Sequence, residues 1–175
     1  MLNIFGVYQH FQPLFTTRIT RYNPFRLFSI WNTARTVIMA TQTALIVQTI
    51  GGRVIEERSW PISQPGPRQV QIRVTVGALN PHDQKGRDIG LFVKDSLPAI
   101  LGSDVVGVVS ALGDSVSRFK IGDRIFGQAS TEGSTQKALQ QYAILDELFA
   151  AKVPEGISED ETATIPTNLM AGTVF

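Results

Sequence analysis

The chain has 175 residues, 43% of them apolar and 18% charged, with 16 basic against 15 acidic side chains. That length gives one domain with a sizeable core plus tails, and no run reaches the roughly 18 apolar residues of a membrane-spanning helix. With no cysteine and only His10 and His82 as imidazoles, the chain has no disulfide and almost no raw material for a zinc site.

Charge divides the sequence. Residues 1–38 hold Arg18, Arg21, Arg26 and Arg35 and no acid, and the first acid is Glu56. Residues 39–175 hold the other 12 of the 16 bases against all 15 acids, a net of −3 that does not suit nucleic acid. The arginines and hydroxyl residues of the head have the composition of a mitochondrial presequence, although Pro13 and Pro24 interrupt its helix. Met39 offers a second start, which would make the head translated upstream sequence. The expected compartment is the cytoplasm, or the mitochondrion if 1–38 is a presequence.

In chain order, residues 43–48 read as a strand, Gly51-Gly52 as a turn and 53–58 as the returning strand of a hairpin. Residues 60–69, with Pro61, Pro65 and Pro67, read as a loop. Over 70–76 the alternation is clean: Val70, Ile72, Val74 and Val76 share one face, and Gln71, Arg73 and Thr75 the other. This strand delivers the chain to Asn80. Residues 81–98 read as largely irregular, with Gly86 and Gly90 as breakers. A β-branched run over 103–112 is a buried strand, bent or closely approached at Gly107. A turn and strand follow to Gly127, then a polar loop over 129–136, a last strand over 138–145 and a turn at 153–156. Ser158 and Glu161 form a capping box that opens a helix. Short strands separated by Gly and Pro turns predict a mainly β, barrel-like domain.

Four segments recur in a specific order: Asn80-Pro-His-Asp83, Leu101-Gly-Ser-Asp-Val-Val-Gly107, Lys120-Ile-Gly-Asp-Arg124 and Lys152-Val-Pro-Glu-Gly156. Together they resemble the GroES-like amino-terminal domain of the medium-chain dehydrogenase/reductase family, over about residues 44–174. In the zinc-dependent members of that family a cysteine stands where Asn80 stands and a histidine where Ser103 stands. The resemblance is therefore to the zinc-independent quinone and enoyl reductase branch. Lys85 and the closing Ile165-Pro-Thr-Asn-Leu-Met-Ala171 are similar to fungal trans-acting enoyl reductases.

The resemblance implies a mainly β fold, a GroES-like partly open barrel with short helices. It divides the chain into 1–38 as a basic extension, 39–165 as the GroES-like domain and 166–175 as the start of a connecting helix. The nucleotide-binding Rossmann half would begin where the chain stops. The implied activity is NADPH-dependent hydride transfer, without zinc, to an activated C=C bond or a quinone. The implied partner is a small-molecule substrate, with a homo-oligomer left open and no nucleic acid or membrane expected. No Gly-x-Gly-x-x-Gly cradle for the cofactor pyrophosphate is present, so the chain alone is expected not to turn over. The rival expectation is a stand-alone β domain that binds another protein.

Asn80 and Lys85 are the expected catalytic and cofactor-binding residues. The Asn80 amide can position a carbonyl or carboxamide, and Lys85 brings three N–H donors and a charge. Met170 is the third expected cofactor contact, at a position where the family often has a threonine facing the nicotinamide. Each has a plainer alternative. Asn80 before Pro81 could simply cap the strand and start a turn, and Lys85 could be a solvated loop charge. His82 reads as a surface-loop histidine rather than a site acid, Asp83 as a pin for its own loop, and Asp104 and Asp123 as structural.

Overall fold

The computed structural model describes residues 40–130 and 133–172. The head, residues 1–38, lies outside them. Strand β1 (Thr41–Val47) pairs antiparallel with β2 (Val54–Pro61) and, on its other side, with the short β4 (Ala99–Ile100). The second sheet has the order β7-β3-β5-β6-β8, from β3 (Gln69–Ala78), β5 (Asp104–Leu112), β6 (Arg124–Gln128), β7 (Tyr142–Asp146) and β8 (Ala150–Lys152), all antiparallel. The fold is mainly β, with two open sheets and three short helices: α1 (Pro81–Ile89), α2 (Glu159–Ala163) and α3 (Pro166–Gly172). Among the described residues no helix is long and apolar enough to cross a membrane.

The core face of β3 is as read, but the alternation is not clean: the register shifts between Gln71 and Ile72 and between Val74 and Val76, and Gln71 is buried as well. Val70 and Ile72 are fully buried and join Val105, Val109, Ile125 and Leu145 in the main core. Burying each such side chain contributes about 1.5–3 kcal/mol. Central β5 is covered on both faces, which is why its sequence is a continuous β-branched run. At Gly107 a Cβ would lie 2.5 Å from the Arg73 carbonyl oxygen, so the close approach expected there is real. A smaller core of Ala44, Ile46 and Ile100 lies under β1, packed by Trp60 and Leu139.

The two sheets are joined by residues 138–141, expected to be strand. They form none: Leu45 N–H donates to the Leu139 oxygen at 2.8 Å, and Ala138 and Leu139 N–H groups donate to Gly102 and Leu101. The Gln42 amide donates to Gln140 at 3.0 Å and accepts from Tyr142 N–H at 2.6 Å, fixing the seam. Two further expectations change here. Strand β2 runs on through Trp60 and Pro61, an edge position where proline costs no ladder bond. Strand β7 is not the last, because a turn of 3-10 helix at Glu147–Phe149 leads into β8.

Glu147 in that turn is a buried anion. Its carboxylate accepts from Arg68 Nε at 3.0 Å and from the Ser117 and Arg118 N–H groups at 3.1 and 3.4 Å. The bond from Ser117 N–H holds the carboxyl below its ordinary range, assisted by Arg68. A depressed carboxyl stabilises the fold above the ordinary glutamate pKa of ~4.3, and the contribution disappears as pH falls through the lower folded-state value. Glu147→Gln should therefore lower Tm at pH 7 and reduce the further loss on acidification from pH 6 to 3, as read by thermal melts. Gly107→Ala should cost about 1–3 kcal/mol by denaturant titration, since the Arg73 backbone must move to admit the methyl.

Candidate functional site

Residues 81–98 do not form the irregular segment that the sequence suggested. Helix α1 fills the first half. Asn80 precedes it in extended conformation, Pro81 occupies the first helical position and Gly90 ends it in the left-handed region at φ 78°. Asp83, three residues after Asn80, accepts from the Asn80 N–H at 2.8 Å. The helix has no apolar stripe, and only Asp83 and Gly86 are buried. Its signals are at its ends, not in a periodicity.

Asp83 does more than pin its own segment. Its other oxygen accepts from Gly102 N–H at 3.0 Å and from the Ser103 hydroxyl at 3.4 Å, tying α1 to the entry of β5. Asp104, also buried, accepts the Asn80 amide at 3.0 Å, Thr167 N–H at 3.0 Å and the Thr167 hydroxyl at 2.7 Å. Gln128 donates to that hydroxyl from β6 at 3.3 Å. The site is thus assembled from α1, the start of β5, the end of β6 and the first turn of α3. Asp104 is structural as expected, and so is Asp123, which accepts from Lys120 N–H and pairs with Lys152 at 2.9 Å.

Because a carboxylate only accepts, the Asn80 amide must turn its NH2 to Asp104. What it can still offer a ligand is its oxygen. Asn80 borders a cleft of about 520 Å3 with Leu79, Asp83, Gln84, Leu101 and Leu139. Lys85 stands exposed on α1, not in a loop, and makes no ion pair among the described residues. Met170 falls within α3, but its side chain lies outside the described residues.

His82 is likewise on α1 and not on a surface loop. Its Nε2 lies 2.6 Å from the Ser103 hydroxyl and 3.7 Å from Asp83, and its ring packs edge-on against Phe92. Lys137, which the sequence did not single out, is 5% exposed and carries its charge toward Asp83. Burial pushes its ammonium below the ordinary lysine range, and Asp83 opposes that shift. A lysine between Gln136 and Ala138 in a polar stretch gives no sequence signal of burial. Thr167, in a Pro-Thr pair that opens a helix, gives a weak one.

The sequence profile of the alcohol dehydrogenase GroES-like domain matches residues 66–168. The chain belongs to that family. A quinone oxidoreductase of Pseudomonas aeruginosa is 35% identical over 115 residues, covering 66% of this chain and 34% of the relative. The trans-enoyl reductase tazE of Aspergillus terreus is 35% identical over 135 residues, covering 73% and 44%. The solved quinone oxidoreductase of Pseudomonas syringae superimposes with a TM-score of 0.63 at 30% identity, over 72% of this chain and 38% of that one. The chain spans about a third to under a half of the length of the curated relatives it matches. Its membership in the medium-chain dehydrogenase/reductases, read from the motifs, agrees with these relatives.

Two positions that resemblance assigns to zinc ligands, Asn80 and Ser103, share Asp83 as a partner in this GroES-like domain, and Asn80 also bonds Asp104. Replacing Asn80 tests how much the network depends on it. Asn80→Ala should cost about 1–3 kcal/mol by leaving part of Asp104 unmet. Asn80→Asp should cost more, because a second carboxylate then faces Asp104. A negligible loss for Asn80→Ala in urea titrations would mean that the amide–carboxylate bond contributes little.

Proposed function

We propose that these residues supply the GroES-like part of a zinc-independent, NADPH-dependent reductase acting on an activated C=C bond or a quinone. The observation that carries this reading is the self-contained polar network. Where zinc takes cysteine, histidine or carboxylate ligands, Asn80 turns its NH2 to Asp104, the Ser103 hydroxyl is engaged by His82 and Asp83, and the Asp83 and Asp104 oxygens accept from protein donors. Among the described residues no group of three or more metal-binding side chains comes together. The donor set does not fit a zinc ion.

The same residues fit the nicotinamide end of a dinucleotide. The oxygen of Asn80, at the head of α1, can accept from a carboxamide N–H. The Lys85 ammonium, without an ion pair among the described residues, can meet a ribose or phosphate oxygen. NADPH, when bound, supplies the hydride. The chain's own part is to hold the reactive carbon and to meet the charge that develops on a carbonyl oxygen with fixed donors. The cleft beside Asn80, with Leu79, Leu101 and Leu139 in its walls, suits the apolar body of such a substrate.

The test uses the natural protein that contains these residues, purified and treated with chelator. It should oxidise NADPH with an enone or a quinone at an unchanged rate after chelation. Asn80→Ala should lower kcat/KM by about 10- to 1000-fold, the scale of one positioned polar contact. Turnover that vanished with chelator and returned with zinc would overturn the reading, as would full activity of Asn80→Ala.

A further inference from the structure

Thr167 makes more contacts than the docking of α3 requires. Its backbone N–H already ties the helix to Asp104 Oδ1 at 3.0 Å, and its hydroxyl meets the same oxygen at 2.7 Å. Asp104 is 1% exposed and its carboxylate can only accept, so the single hydroxyl proton of Thr167 is committed to it. What the Thr167 oxygen shows its other neighbours is therefore lone pairs. Gln128 donates to it at 3.3 Å, and Asn80 Nδ2 approaches it at 3.5 Å.

The Asn80 NH2 thus faces two acceptors, Asp104 Oδ2 at 3.0 Å and the Thr167 hydroxyl oxygen. A flipped amide would set its oxygen against a carboxylate and a lone pair with no proton between them. Asp104 alone would occupy one N–H and leave the other for a ligand. Thr167 supplies the second acceptor, from a residue 87 positions further along the chain. Asn80 lines the cleft, so the direction of its amide decides which groups can bind there.

We propose that Thr167 is a positioning residue that makes Asn80 a pure acceptor, so that Asn80 selects the carboxamide N–H of the nicotinamide over a substrate carbonyl. The inference rests on the reductase reading above and divides its labour. A substrate carbonyl needs a donor, and the Asn80 side chain has none left to give. A carboxamide N–H needs an acceptor, and the Asn80 oxygen is held in place as one. Threonine suits this role because it combines a proton for Asp104 with lone pairs for Asn80. Valine keeps the shape and the backbone N–H and loses both.

Two measurements test this, one of them independent of turnover. In nitrogen–proton NMR spectra of the 175-residue chain, the side-chain NH2 of Asn80 should exchange with water ~10-fold more slowly than a free asparagine amide. Thr167→Val should speed that exchange, and Thr167→Ser should preserve it. The second measurement takes the natural protein and compares dissociation constants for NADPH and its acetylpyridine analogue, whose methyl ketone lacks the N–H donor. The wild type and Thr167→Ser should favour NADPH by ~10-fold, the scale of one hydrogen bond. Thr167→Val should narrow that preference to ~3-fold or less, because a released Asn80 N–H can then meet the ketone oxygen. Free-amide exchange in the wild-type chain, or an unchanged cofactor preference in Thr167→Val, would overturn the proposal. Equal wild-type affinity for the two cofactors would overturn the carboxamide assignment. If the wild type bound neither cofactor and reduced neither enone nor quinone, the reductase reading would fall, and the exchange measurement would still decide whether Thr167 holds the amide. Should Thr167→Val fail to fold, the wild-type exchange and cofactor preference decide.

Discussion

Two buried carboxylates organise this domain. A carboxylate taken out of water has to recover its hydrogen bonds from the protein or lose its charge, and Asp83 and Asp104 recover them from different elements. Asp83 draws together the Asn80 N–H, the Gly102 N–H and the Ser103 hydroxyl, and Asp104 the Asn80 amide and both donors of Thr167. Meeting those demands positions α1 over the entry of β5 and docks the first turn of α3 against it. The site is what results when both acids are satisfied at once.

The same logic recurs away from the site. Glu147 is buried and draws Arg68 and the backbone of Ser117 and Arg118 around the turn into β8. Gln42 and Gln140, also buried, tie the two sheets along a seam where neither has a regular ladder. A domain of open sheets has edges and seams that apolar packing cannot close. Here buried polar side chains with fixed partners close them, which gives the junctions geometric precision that a greasy contact would lack.

For chemistry, that precision has a consequence. Such a network holds its outward-facing groups in fixed directions. Asn80, with its NH2 turned to Asp104, presents an acceptor at the head of α1, and Lys85 stands exposed on that helix without an ion-pair partner among the described residues. The residues suited to meet a ligand are therefore oriented by residues that are not.

Much of this was legible in the sequence. The core face of β3, the close approach at Gly107 and the capping box at Ser158 follow from local rules, namely period, steric size and hydrogen bonding to near neighbours. The order of the family motifs carried the fold class. Helix α1 escaped because periodicity reads burial, and a helix that buries only an aspartate and a glycine has almost none. Lys137 and the His82–Ser103 pair escaped for a deeper reason. Lys137 lies 54 residues beyond Asp83 and Ser103 lies 21 beyond His82, and nothing local records which chain segments will meet. The sequence by itself determined the strands, the turns and the residue types available for chemistry. Only the tertiary structure decided which carboxylate each donor serves, because that depends on how distant segments pack around charges that must not be left unpaired.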